Sequence, residues 1–289
     1  MDEFQVLDES KLPAPFPMGN TGVICYLNSL LQGLMSCTSF ADELLTYEND
    51  TTITDTAKIM IEFIKAVRSN INPHIYSAKI LKVLKADLAR NNAGKRFGNQ
   101  QESASEGFIY ILDMINIGSV SRLFINRTRL TLYCVNCKNE VSTTTDISPQ
   151  YEYFANTTSL TPDEFSEFFR HQSCIVEDYT CEKCKKKGKA LRSQQLIMLP
   201  EILFVVMNKY YQKSKKYIPH EFTMPQRDGG IIKYKLVSII NHSGSLGGGH
   251  YTAQALRQGG IYNCNDMTIS NMSGFQNEEN TYICIFHLY

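Results

Sequence analysis

The sequence predicts an α+β fold: helical spacing of apolar residues fills the first third, short β-branched runs fill the rest, and two Cys-x-x-Cys pairs punctuate those runs. A chain of 289 residues is at the upper end of what one hydrophobic core sustains, so one domain with a protruding subdomain fits. Pro13, Pro15 and Pro17 hold the leading segment, residues 1–17, extended, and only its first dozen residues are biased toward disorder. Leu27, Leu30, Leu31, Leu34 and Met35 then recur at helical spacing and put Cys25 at a helix N-terminus. Two amphipathic stretches follow, around Ile59, Phe63, Ile64 and Val67 and around Ile80, Leu81, Leu84 and Leu88, the second broken by Asn91 to Asn99. A fourth helix, Ala104 to Ile115, carries Phe108, Ile111, Leu112 and Ile115 on one face. Strands are predicted at Leu123–Tyr133, Val141–Ile147, Leu191–Met198, Ile202–Met207, Tyr234–Asn241, His250–Leu256 and Tyr282–His287, with one short helix at Pro162–Phe169.

Lys+Arg and Asp+Glu both total 29, so no global field draws nucleic acid or an anionic membrane, and neither is expected as a partner. No apolar stretch reaches the roughly 20 residues of a transmembrane helix, and Met1 to Ser10 is acidic where a signal peptide would be basic and then apolar. A soluble intracellular protein, cytoplasmic or nuclear, is expected. Nine cysteines, an odd number, fit a reducing compartment, where clustered thiols more often bind metal or do chemistry than form disulfides.

A thiol attacks a carbonyl as thiolate, and a helix N-terminus favours the anion, so a depressed pKa is expected at Cys25. Asn20, with Gly22 between it and the cysteine, can fold back and aim its amide at the oxygen of a tetrahedral intermediate. His250 follows Gly247, Gly248 and Gly249, so the candidate base is backed by a loop able to close over a substrate. Asn265 and Asp266 lie on the turn after the next strand, where a side-chain oxygen of either residue can orient the imidazole. Cysteine, histidine and Asn or Asp in that order are consistent with papain-like proteases.

Cys134-Val-Asn-Cys137 and Cys181-Glu-Lys-Cys184, separated by 43 residues, form two knuckles suited to one structural Zn2+, and two such pairs point to metal rather than redox exchange. Lys183, Lys185, Lys186, Lys187 and Lys189 read as a solvated hairpin tip. Cys37, Cys174, Cys264 and Cys284 read as packing residues, and His242 as a loop or strand-end residue rather than the base.

The stretch NTGVICYLNSLLQ, Asn20 to Gln32, resembles the cysteine box of the ubiquitin-specific proteases, and YKLVSIINHSGSLGGGHYTAQAL, Tyr234 to Leu256, resembles their histidine box. QESASEGFIYILD, Gln101 to Asp113, is similar to the family's acidic helix; LPEILFVVMNKY and TYICIFHLY are similar to its late strands. The resemblance implies Cys25 as nucleophile, His250 as base, Asn265 as the orienting residue with Asp266 close second, and Asn20 in the oxyanion hole. It further implies substrate contacts at Gln101, Glu102, Ser103 and Tyr251, with Ser103 standing where the family usually has Asp and Ile261 where it usually has Trp.

The implied fold is a papain-like cysteine protease core with a zinc-ribbon fingers extension. The catalytic domain would span 18–289: a helical lobe over about 18–118, zinc-binding fingers within about 119–200 and a β lobe over about 201–289. The implied activity is thiol-dependent hydrolysis after the C-terminal glycine of ubiquitin in ubiquitin or polyubiquitin conjugates, by a monomer. Its rivals are a protease for another modifier with the same Gly-Gly end and a silent ubiquitin-binding scaffold.

Overall fold

The computed structural model describes the chain except for residues 1–4, 92–96, 99, 154–160, 208–217, 226–229 and 246–247. Helices α1 (Cys25–Leu34), α2 (Thr38–Leu45), α3 (Asp55–Arg68), α4 (Tyr76–Arg90), α5 (Ala104–Ile115) and α6 (Gly118–Arg122) come first. Strands β1 (Asn126–Cys134), β2 (Glu140–Ser148) and β3 (Tyr151–Tyr153), helix α7 (Pro162–Arg170), and strands β4 (His171–Thr180), β5 (Lys187–Met198) and β6 (Ile202–Met207) follow. The chain ends with β7 (Glu221–Pro225), β8 (Ile231–Ser245), β9 (Gly248–Arg257), β10 (Gly260–Asn265), β11 (Thr268–Met272) and β12 (Thr281–Leu288).

Every residue of α1 is buried, so the helix runs through the molecule rather than over it, against β9 and β8 on one side and α5 and α4 on the other. Burying its polar residues is tolerable only because they find partners. Gln32 donates to Phe16 O at 2.7 Å, while the Arg257 guanidinium, 1% exposed, gives hydrogen bonds to Gln32 O and Oε1 and to Ser36 Oγ. Burial pulls the pKa of this arginine down to about 10. A cation at the carbonyl end of α1 complements the helix dipole. It also fixes the far end of the cysteine helix to the far end of β9, the strand that carries His250.

The helical lobe is tied together by caps. Thr54 accepts from Ala57 N at the start of α3, and the buried Asp87 of α4 accepts from both the N–H and hydroxyl of Thr56, closing the same helix end from outside. Phe108 of α5 stacks on Phe204 of β6, ring centroids 3.9 Å apart, where helices meet sheet. The larger sheet runs β11-β10-β9-β8-β12-β6-β3 with β7 added beside β8; only the β3–β6 pair is parallel. The smaller, antiparallel sheet, β2-β1-β5-β4, carries all four Cys-x-x-Cys thiols at one end. A second core gathers Tyr151, Tyr153, Phe165, Phe169, Phe222 and Phe286 around α7.

The leading segment holds a 3-10 turn at Glu9–Lys11, and it is anchored: Leu7 N donates to Leu288 O at 2.7 Å, and Leu12, Phe16 and Met18 enter the core. Elements α2, α6, β3, β4, β7 and β11 lie outside the sequence expectation. The breaker at 91–99 and the end of the 199–210 stretch lie largely outside the described residues. Cys37, Cys264 and Cys284 are buried, as packing residues should be, whereas Cys174 is half-buried on β4. Among the described residues no helix is long and apolar enough to cross a membrane.

Candidate active site

The loop before α1 is shaped by close approach. Gly19 N donates to His74 O at 2.8 Å, and a Cβ on Gly19 would lie 2.8 Å from that same oxygen, so only glycine fits. Asn20 then makes an Asx-type turn, its Oδ1 accepting from Gly22 N at 3.1 Å, and Gly22 takes φ 132°. Its amide Nδ2 donates to Asp266 Oδ2 at 2.8 Å; Asn28, one helical turn into α1, donates to Asp266 Oδ1 at 2.6 Å. A carboxamide nitrogen has two hydrogens, so Asn20 keeps one for another acceptor.

Cys25 opens α1 and is 4% exposed. Burial pushes its thiol up, and the Asp266 carboxylate adds to that, against the backbone N–H groups of Tyr251, Tyr26 and Cys25 itself, which favour the thiolate. The depressed pKa expected for a helix-leading cysteine is therefore not met: desolvation outweighs the helix terminus. The proton must be taken from this thiol by a base.

His250 is the third residue of β9, not its first, and its ring is exposed. Ala253 of β9 pairs with Cys264 of β10, so His250 and Asn265 are near-diagonal neighbours on one face of the sheet. His250 Nε2 lies 2.7 Å from Asn265 Oδ1; since that oxygen only accepts, Nε2 carries the proton and Nδ1 keeps a lone pair. The two candidates for the orienting role thus separate. Asn265 holds the ring, while Asp266, on the turn with φ 50°, points both oxygens at the Asn20 and Asn28 amides.

Gly249 precedes the histidine, and a Cβ there would come within 2.5 Å of His242 Nε2, because the His242 ring is packed beneath it and against Tyr251, centroids 4.3 Å apart. Tyr251 is 4% exposed, so its side chain is not on the cleft surface; its backbone N–H is what reaches the thiol. Gln101 bridges the cleft, donating to Gly249 O at 2.5 Å, accepting from Gly249 N at 2.6 Å and placing Nε2 3.7 Å from Cys25 Sγ. Glu102 turns inward to accept from Gly98 N at 2.9 Å. Ser103, Ser105 and Tyr282 form a triangle of hydroxyls with edges of 2.8 to 2.9 Å at the start of α5. Gly247 lies outside the described residues. Asn28, Ser105 and Tyr282 had no sequence signal beyond lying inside quoted motifs.

The four remaining cysteines close two knuckles built alike. Lys138 and Lys185, each following a second cysteine, take φ 56° and 59° and donate to the first cysteine's carbonyl at 2.8 Å in both cases. Cys134 Sγ lies 3.8 Å from Cys184 Sγ and Cys137 Sγ 4.0 Å from Cys181 Sγ, all four within 4.8 Å of one another and none in a disulfide. Four thiols so placed are able to hold one metal ion. The lysine run beside them is exposed, with Lys187 on Asp178 and Lys189 on Glu177.

A thiol at the N-terminus of a buried helix and an Asn-held imidazole on the strand whose next residue, Tyr251, reaches that thiol with its N–H have the layout of a papain-like thiol hydrolase. The sequence model described as ubiquitin carboxyl-terminal hydrolase matches residues 18–286, and the chain belongs to that family. Among curated relatives it is 27% identical to ubiquitin carboxyl-terminal hydrolase 26 of Oryza sativa subsp. japonica, over 85% of this chain and 24% of that protein. It is 23% identical to ubiquitin carboxyl-terminal hydrolase 36 of Drosophila grimshawi, over 87% of this chain and 23% of that protein. The chain thus spans about a quarter of the length of these relatives. Among solved structures, the SAGA Ubp8/Sgf11/Sus1/Sgf73 DUB module bound to ubiquitin aldehyde aligns with TM-score 0.69 and 18% identity, covering 98% of this chain and 71% of that one. The fold is therefore a shared one.

Proposed function

We propose that the chain is a thiol-dependent deubiquitinase that hydrolyses the bond after the C-terminal glycine of ubiquitin in its conjugates. The observation that carries this is a cysteine, Cys25, at the head of a buried helix together with an imidazole, His250, held at Nε2 by Asn265, within a family fold whose solved neighbour is described as bound to ubiquitin aldehyde.

His250 Nδ1 takes the proton from Cys25, and the thiolate attacks the terminal glycine carbonyl. The free hydrogen of the Asn20 amide, with the Cys25 backbone N–H, meets the oxyanion. His250 returns the proton to the leaving amine, and water, deprotonated by the same ring, hydrolyses the thioester. Asp266 orients Asn20 and Asn28 and does not touch the imidazole. On this reading residues 18–118 are the helical lobe, about 119–200 the fingers and about 201–289 the β lobe, with the tail of ubiquitin running between lobes as far as Cys25.

Cys134, Cys137, Cys181 and Cys184 would hold Zn2+, which supplies a cross-link and no chemistry: at about 2.3 Å per thiolate a tetrahedral site has sulfur–sulfur edges of about 3.8 Å, close to the separations seen here. Cysteines held as thiols support a reducing setting, cytoplasm or nucleus, and the balance of 29 basic against 29 acidic residues supports a protein without nucleic-acid or membrane partners, acting as a monomer.

Ubiquitin bearing a C-terminal electrophile should add its mass to the intact protein and not to Cys25→Ala. A second reading, a protease for another modifier ending in Gly-Gly, is favoured by the uncharged Ser103–Ser105–Tyr282 triangle. Labelling by such a modifier's probe but not by ubiquitin would select it.

A further inference from the structure

Gln101 stands on the helical side of the cleft, just ahead of α5, and Gly249 on the sheet side, just ahead of His250. Between Gly249 and Ala253 strand β9 pairs with β8 on one edge but has no β10 partner on the other, since the β9–β10 ladder ends at Ala253. That edge presents the N–H and C=O of Gly249, and the Gln101 carboxamide fills both, as the N–H and C=O of one facing residue in an additional antiparallel strand would. The two opposed hydrogen bonds also fix which end of the carboxamide is nitrogen, and the second hydrogen of that nitrogen faces Cys25 Sγ at 3.7 Å. Among the described residues the thiol makes no hydrogen bond to the His250 ring; its side-chain polar neighbour is Gln101.

An extended peptide whose carbonyl is to be attacked by Cys25 must pass between Gln101 and Gly249, and an extended chain binds by adding to a free strand edge. We propose that Gln101 is a clasp across the cleft. It occupies the edge of β9 at Gly249 that an incoming tail needs, it screens the resting thiol, and it is displaced by a tail residue whose own N–H and C=O make the same two hydrogen bonds. Because bonds are exchanged rather than lost, opening is cheap for an extended backbone and costly for a molecule that cannot replace them. The proposal rests on the thiol-protease reading of the site, and it is tested apart from it.

The test is alkylation by iodoacetamide of the full chain without ubiquitin, read peptide by peptide, with Cys174 as internal reference. Gln101→Ala removes both the screen and the hydrogen bonds; Gln101→Leu keeps the bulk and loses the bonds. Several-fold faster alkylation of Cys25 in both variants is the expected result. An unchanged rate in Gln101→Ala overturns the clasp, and a wild-type rate in Gln101→Leu overturns it too, since bulk alone would then shield the thiol. Reaction with a ubiquitin electrophile is followed in parallel: its failure in the wild-type protein would sink the deubiquitinase reading whatever the alkylation rates show.

Discussion

The Asn20 side-chain amide donates to Asp266 Oδ2 at 2.8 Å across a sequence separation of 246 residues, and Asn28 donates to the other oxygen at 2.6 Å. One carboxylate thereby pins the loop before the nucleophile to the helix that bears it. The adjacent Asn265 serves a different group, the His250 ring. Two neighbours in sequence divide two tasks because Asp266 sits in the left-handed region of a tight turn, which aims its side chain away from that of Asn265.

This division predicts two opposite responses in Asp266→Asn. Turnover of a ubiquitin amide should fall on the order of 10²-fold, as the Asn20 donor loses its aim. The Asp266 carboxylate raises the Cys25 pKa, so removing its charge lowers that pKa and shifts the alkylation profile toward lower pH. Alkylation at fixed neutral pH should therefore quicken while catalysis slows; both falling together would contradict the assigned roles.

Asn265→Ala should leave the thiol profile largely in place and remove the group that fixes the His250 tautomer. A loss of roughly 10²-fold in kcat, with little change in KM, is expected from a misdirected general base. Asn265→Asp keeps an acceptor at the same point and should recover most of it. Equal losses in both substitutions would mean that the 2.7 Å contact is not what orients the ring.

Much of this was legible in the sequence because it is local. The bounds of α5 and of β6 coincide with the apolar periodicity, and both knuckles sit at strand ends as their spacing suggested. Strand β4 was not legible: it is an edge of the small sheet, mostly exposed, and HQSCIVEDYT offers no clean alternation of apolar residues. Strand β3 is defined by a parallel pairing with β6 some fifty residues away, which no local pattern announces. The raised thiol pKa, the burial of Tyr251 and the task of Asn28 all depend on what the fold brings from elsewhere. The sequence left Asn265 and Asp266 as alternatives, and in the fold they bond to different partners, Asn265 to the His250 ring and Asp266 to the Asn20 and Asn28 amides.

Stripping metal from the four cysteines should loosen the small sheet and spare the thiol. With a strong chelator, or in Cys137→Ser, proteolysis should become rapid within 134–190, where the four thiols close one end of the small sheet. KM for a ubiquitin substrate should rise, while alkylation of Cys25 stays near its original rate. A chelator-resistant sheet with unchanged KM would remove the metal from the account.

The last strand carries an acid-sensitive group. His287 is 0% exposed; its Nδ1 donates to Leu288 O at 2.7 Å, and its Nε2 accepts from Ser39 Oγ at 2.9 Å, so both nitrogens are satisfied only by the neutral ring. Burial lowers its pKa to about 4 from an ordinary 6.5. Between those values the unfolded chain binds a proton that the folded chain refuses, so stability is complete above about pH 6.5 and is lost as pH falls toward 4. The loss should approach about 3 kcal/mol. In His287→Gln that contribution to the slope disappears: the variant should be less stable than the original at pH 7.5, yet lose less on acidification. Denaturant unfolding across this range measures both, and parallel slopes for the two proteins would show that His287 already titrates freely in the folded state.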